Sequence, residues 1–232
     1  MTEQKPSGIF PQPKRVMLAE SIADSIAEAV ATHHLDSGDR IVETALAERF
    51  SVSRVPVREA LKILHTQGIL TGGGHRGFRV ASFTPRKAMQ VSEVRLMLET
   101  LLLRDAIENW RAGTANLAAL DQCIEEMRRA CAEKSNRAIL ASDLNFHRAI
   151  SLASGNEVAA AMWEAIARHV LIIFNVARYQ DIKLTVVVRR HEKLREFIVE
   201  QIANPCEDAV LRKALEEHFL AGRDAGSGPS IN

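Results

Sequence analysis

Asp143 and His147 stand four residues apart in a stretch with helical apolar periodicity. That spacing puts a carboxylate and an imidazole on one helix face, with Cβ atoms roughly 5–6 Å apart. Both could reach a single ion. His191 and His218 fall on two later helical stretches. Three imidazoles and one carboxylate suit zinc, nickel or iron(II) better than magnesium or calcium. Each residue also has a plainer reading. Asp143 and His147 could be a surface pair, His191 after Arg189-Arg190 could face solvent, and His218 could favour a helix C-terminus as a cation.

A second set of residues points to nucleic acid. Arg54 and Arg58 are also four apart and share a helix face, away from the apolar Val57, Ala60, Leu61 and Leu64. Arginine can pair bidentately with guanine O6 and N7. Residues 54–79 hold Arg54, Arg58, Lys62, Arg76 and Arg79 against Glu59, a local charge of +4 in a chain whose total is +1. The near-neutral total therefore does not argue against a polyanion, because phosphate charge is felt over about 10 Å. Five glycines (Gly68, Gly72, Gly73, Gly74, Gly77) crowd the same region, where His75 and Arg76 would be the donors of a loop tip.

The elements that must position these groups follow from the pattern. Residues 17–33 carry Leu18, Ile22, Ile26, Ala29 and Val30 near a 3.6 period, Leu35–Asp39 reads as a turn, and 43–50 is a short helix with Leu46 and Phe50 inward. Ser51–Ser53 is a second turn with Ser53 a candidate cap, 55–67 a helix stopped by Gly68, and 69–71 and 78–81 short strands. Helix, short helix, helix and hairpin make a winged helix-turn-helix. From Thr84-Pro85, a cap followed by proline at the first helical position, the chain reads as six helices: 85–111, 115–134, 137–154, 156–178, 182–203 and 207–222. Breaks fall at Gly113, Ser135-Asn136, Gly155, Gln180-Asp181 and Asn204-Pro205. The fold class expected is mainly α, with a winged helix-turn-helix domain over 15–82 and an all-α bundle over 84–223.

Composition excludes other classes. Three cysteines without a C-x-x-C pair do not make a disulfide scaffold. The apolar runs are too short to span a bilayer, and MTEQKPSGIFPQPKR has no apolar core of a signal peptide. A cytoplasmic protein is expected. Aromatics are only 5% of residues, which suggests a ligand held by charge and metal more than by stacking.

The run Leu46-Ala47-Glu48-Arg49-Phe50-Ser51-Val52-Ser53-Arg54-Val55-Pro56-Val57-Arg58-Glu59-Ala60-Leu61, continued by Leu64, Gly68-Ile69-Leu70, Arg76-Gly77 and Val80, resembles the signature of GntR-family bacterial transcription regulators. The resemblance implies that Arg54, Val55 and Arg58 contact DNA, with Thr44 on the preceding helix and His75 or Arg76 on the wing. The family often has glycine where Ser51 stands. Asp143-Leu144-Asn145-Phe146-His147-Arg148-Ala149-Ile150, with Ala153-Ser154-Gly155-Asn156, resembles the central motif of the FCD effector domain of the FadR-like branch, here with six helices as in its VanR-type form. It implies that Asp143 and His147 join His191 and His218 around one metal ion, leaving positions for water or an effector carboxylate. His191 and His218 lie 27 residues apart, a longer spacing than the family's. The extra residues fit a loop at Asn204-Pro205-Cys206, whereas a longer helix would rotate His218 away. Arg95 and Glu99 echo the first effector-domain helix. Arg95 could clamp an effector carboxylate, or pair with Glu99 for only about 0.3–0.5 kcal/mol. His169 could line a pocket or sit in the core.

The expectation is a transcription regulator, not an enzyme. It would bind a palindromic operator as a homodimer, with a divalent transition metal, zinc before nickel or iron, and a small carboxylate effector. A regulator with a purely structural metal is the alternative, and a metal-dependent hydrolase a further one.

Overall fold

The computed structural model of the chain describes residues 14–73, 77–178 and 183–220. The chain divides between Ser82 and Phe83 into two compact units.

The first unit contains α1 (Lys14–Ala31), β1 (Arg40–Ile41), α2 (Glu43–Phe50), α3 (Arg54–Thr66), β2 (Leu70–Gly72) and β3 (Phe78–Val80). Helix α1 packs on α3. Its buried face is Ala19, Ile22, Ala23, Ile26, Ala27, Val30 and Ala31, set against Val57, Ala60, Leu61 and Leu64 of α3. Each fully buried large side chain contributes roughly 1.5–3 kcal/mol. Three local expectations change. Leu18 is exposed, because the buried stripe runs through Ala19 instead. On α2 the buried residue is Ala47, with Leu46 and Phe50 only half-buried. Ser53 holds the cap position of α3 with extended backbone, but its side chain makes no capping hydrogen bond.

The sheet has a strand that periodicity does not reveal. β1, two residues long, pairs antiparallel with β3, which pairs antiparallel with β2, giving the order β1-β3-β2. Arg40 lies opposite Arg79. The β2–β3 hairpin closes where the Gly73 N–H donates to the Gly77 carbonyl at 2.8 Å. Gly72, at φ +85°, is required there, since a Cβ would stand 2.5 Å from the Gly77 oxygen. His75 and Arg76 lie outside the described residues.

The second unit contains α4 (Pro85–Arg111), α5 (Ala118–Ala132), α6 (Asn136–Ala153), α7 (Glu157–Arg178), α8 (Leu184–Ala203) and α9 (Asp208–Leu220). Thr84 caps α4, its hydroxyl accepting from the Lys87 N–H at 3.2 Å. Ser135 caps α6 in the same way through Ala138 N–H. One core joins Leu103 and Trp110 of α4, Met127 of α5, Phe146 and Ile150 of α6, Ile198 of α8 and Leu215 of α9. Helix α7 packs on α4 through Ala159, Trp163 and Ala167 around Leu102. Gly113, Gly155 and the 204–207 segment separate helices as expected; the Gln180-Asp181 break lies outside the described residues. No helix of the described residues is long and apolar enough to cross a membrane.

Candidate metal centre and nucleic-acid interface

The effector unit draws its chemistry from four helices. Along α6, Asp143 and His147 share the inward face with Phe146 and Ile150. Along α8, His191 continues the buried stripe of Val187, Val188 and Leu194. His218, partly buried, follows Leu211 and Leu215 on α9. The three imidazoles offer nitrogen atoms that all lie within 4.8 Å of one another. His147 Nε2 stands 3.3 Å from His218 Nε2. Asp143 adjoins this group through His191, with Oδ1 3.1 Å from Nε2. The structure thus brings all four residues together, and the longer spacing does not turn His218 away. Asp143 is the outlying member.

The tautomers follow from what surrounds each ring. His191 Nδ1 lies 2.9 Å from the Val187 carbonyl oxygen, which can only accept. That nitrogen therefore carries the proton, and a neutral ring presents a lone pair at Nε2. His147 Nδ1 lies 2.7 Å from Glu99 Oε2, so its Nε2 is likewise a lone pair. A neutral His191 would set its lone pair against the Asp143 carboxylate across 3.1 Å, at a cost in so buried a place. A cation between them removes that cost. The donor set of three imidazole nitrogens and a carboxylate fits a divalent transition metal. The Nδ1 partners, one carboxylate and one backbone carbonyl, are those that orient metal-bound histidines generally.

Glu99 is the residue that sequence reasoning undervalued. It is 3% exposed, on α4, and its Oε1 accepts from Arg95 Nε at 2.6 Å and from Trp163 Nε1 at 2.9 Å. Burial pushes its carboxyl up, but Arg95 and then His147 outweigh that and hold it at about 2. Burial likewise opposes ionisation of Asp143, but His191 and His147 keep its carboxyl well below the usual range. Burial lowers the His147 imidazole against the pull of Glu99. His218 is depressed further, by burial and by the neighbouring His191 and His147. The shifts of Asp143, His147 and His218 favour the protonation states that a metal needs.

Arg95 is 1% exposed, and its guanidinium lies 4.0 Å from the Phe219 ring centre. The Arg95–Glu99 pair is present, but in the core rather than on the surface. That corrects its expected value, because a buried pair missing one partner is strongly destabilised, unlike an exposed one. Phe146 meets His191 edge-on at 4.9 Å. His169 is buried on α7. Beside His218, between α8 and α9, opens a cavity of about 360 Å³ whose lining includes Arg189, Arg190, Lys193 and Glu217.

In the first unit, the turn between α2 and α3 is made by Ser51 at φ +53°. It points the start of α3 outward. Arg54, Val55 and Arg58 are exposed, as is Thr44 on α2. Arg58 Nε and Nη2 donate to Glu43 Oε2 at 3.2 and 3.0 Å, and Arg54 Nη2 is 3.5 Å from the same oxygen. Glu43 lies outside the 54–79 window from which +4 was counted, so the cationic face carries an acidic partner that the window missed. Arg40, exposed beside Arg79, is a cation it also missed. Arg79 is partly committed to structure, since its Nη1 donates to the Gly38 carbonyl at 2.8 Å.

Two family models match this chain: the gntR family of bacterial regulatory proteins over residues 18–80, and the FCD domain over residues 90–219. The chain belongs to the GntR family, in its FadR-like branch with an FCD domain. It is 26% identical over 208 residues to the probable D-xylose utilization operon transcriptional repressor of Paenarthrobacter nicotinovorans, covering 89% of this chain and 88% of that one. It is 30% identical over 133 residues to the gluconate operon transcriptional repressor of Bacillus licheniformis, covering 56% and 52%. Among solved structures, Escherichia coli McbR/YncC superposes with a TM-score of 0.69 at 20% identity, over 87% of this chain and 93% of that one. The fold is thus mainly α, a GntR winged unit plus an FCD helical unit. These families and relatives are transcription regulators rather than enzymes, so this GntR-family chain is a bacterial transcriptional regulator.

Proposed function

We propose that this regulator binds a palindromic operator as a homodimer and that a small carboxylate modulates the binding through a metal held in the FCD unit. The observation that carries the reading is the convergence of the His147, His191 and His218 nitrogens beside Asp143, with two ring tautomers fixed by Glu99 and Val187. These four residues would hold one divalent transition ion, zinc in first place, with nickel or iron as alternatives. Such an ion supplies a Lewis-acidic site for a carboxylate oxygen. The cations around the neighbouring cavity favour an anion, and Arg95, whose charge also helps to keep Asp143 ionised, would clamp the effector carboxylate. On the DNA side, Arg54, Val55 and Arg58 would enter the major groove, with Thr44 beside them and His75 or Arg76 from the wing. Exposed Met89 and Met97 on α4, and Val158 and Met162 on α7, favour an apolar contact between two copies. Such a regulator works on DNA in the cytoplasm.

The test is elemental analysis of the purified chain and of its Asp143→Ala/His147→Ala variant. About one transition-metal ion per chain is expected in the first and none in the second. Full retention by the variant places the ion elsewhere. Operator binding is then followed with metal-loaded and chelator-treated protein against a panel of small carboxylates. Retained fold with a lost response marks a sensory metal, and loss of fold marks a structural one.

A further inference from the structure

Glu43 opens α2, and an acidic residue in a first helical turn has a plain structural use against the helix dipole. Its carboxylate does something more specific. It faces across to α3, where Oε2 accepts from both Nε and Nη2 of Arg58 and Oε1 stands 3.4 Å from Nε. Nε and Nη2 form one edge of the guanidinium. The five N–H donors of that group lie in one plane, so the contact fixes the plane and leaves the Nη1–Nη2 edge directed away from Glu43. That outer edge has the spacing to meet guanine O6 and N7. Arg54, held loosely at 3.5 Å by the same oxygen, is set alongside. The side chain of Glu43 is 23% exposed, while those of Arg54 and Arg58 are 59% and 49% exposed. The anchor is thus sheltered and the two anchored groups are presented.

We propose that Glu43 is a positioning residue for base reading, which holds the Arg58 fork in the orientation that meets a guanine. This rests on the reading of Arg58 as a base contact. A carboxylate near DNA repels phosphate, so it lowers affinity for any sequence. Its benefit is orientation: a long flexible side chain that is already fixed loses less freedom on binding. Glu43 therefore trades general affinity for discrimination.

The experiment uses the full chain and an operator selected from a random-sequence pool, with a random duplex of equal length as reference. Glu43→Gln removes the charge with little change of shape. Its ratio of operator to random affinity should fall roughly tenfold, while binding to the random duplex stays equal or tightens. Repeating the selection with the variant should relax one guanine position, the same one that Arg58→Ala relaxes. In an Arg58→Ala background, Glu43→Gln should change the ratio far less than it does in the unsubstituted chain, whereas a merely structural Glu43 would act additively. Glu43→Asp should restore part of the ratio. An unchanged or increased ratio in Glu43→Gln would overturn the proposal and make Glu43 a bystander or a competitor. If Arg58→Ala itself leaves the ratio intact, it is the assignment of Arg58 that fails. Circular dichroism of each variant separates either result from misfolding.

Discussion

His147 and Glu99 meet with Nδ1 2.7 Å from Oε2, while the other ring nitrogen of His147 faces His218 at 3.3 Å. One imidazole is therefore set between a carboxylate that fixes its proton and a cluster that uses its lone pair. Glu99→Gln keeps an acceptor for Trp163 but removes the charge that holds the His147 N–H. The expected outcome is a metal affinity lower by about 10–100-fold, measured by competition with a chromophoric chelator on protein shown to be folded. Equal affinity would mean that Glu99 serves Arg95 and Trp163 and not the histidine cluster.

Ser51 occupies the left-handed region at φ +53°, as the residue that ends α2. An L-residue with a Cβ is strained there, and glycine is not. The resemblance to a family that often carries glycine at this point thus has a physical reason. Ser51→Gly should stabilise the winged unit by about 0.5–1 kcal/mol, read as a rise in the urea midpoint with unchanged slope. A drop in the midpoint would show that the Ser51 side chain contributes more than its backbone costs.

The legible part of this chain is the part written in local pattern. Helix α4 begins at Pro85 and ends at Arg111 as Thr84-Pro85 and the periodicity predict, because capping and helical spacing are properties of neighbours. The groups at the site were legible as types: Asp143 and His147 by spacing, His191 and His218 by placement. What stayed hidden is pairing over distance. Glu99 meets His147 from another helix and Glu43 meets Arg58 from another helix, and no spacing rule connects them. β1 was missed for the same reason, since two residues carry no period and only β3 makes Arg40–Ile41 a strand. Leu18 misled because periodicity alone cannot place the centre of a buried stripe that small alanines continue.

Arg54, Arg58, Lys62 and Arg40 lie exposed on one unit of a chain with a total charge of only +1. Lys62 pairs with Glu59 at 3.0 Å and Arg58 with Glu43, so not every cation is available to a phosphate. Affinity for random duplex should fall with a slope of about 0.9 in log salt per phosphate contacted. Glu59→Gln, which frees Lys62, should steepen that slope, as titrated by fluorescence anisotropy over a range of salt. A flat dependence in the unsubstituted protein would argue that phosphates are not the partner.

The Glu43 carboxyl is lowered from its ordinary 4.5, first by its hydrogen bond from Arg58, against a smaller opposing effect of burial, and further by the charges of Arg58 and Arg54. The sign follows from which state binds the proton more weakly. The folded chain holds Glu43 ionised at acidities where the unfolded chain has protonated it. The ion pair therefore adds its full stability above the unfolded value near 4.5 and loses it as pH falls through the lowered folded value. Glu43→Gln should be slightly less stable than the unsubstituted chain at pH 7, and the gap should close on acidification below pH 4.5. The gap is small, since the arginine side chains are 59% and 49% exposed and solvent screens the pair. Urea unfolding of the two proteins, in parallel across that range, is the measurement. A gap that persists undiminished at the acid end would assign the effect of the substitution to shape rather than charge, and would leave the Glu43–Arg58 contact without an electrostatic role in stability.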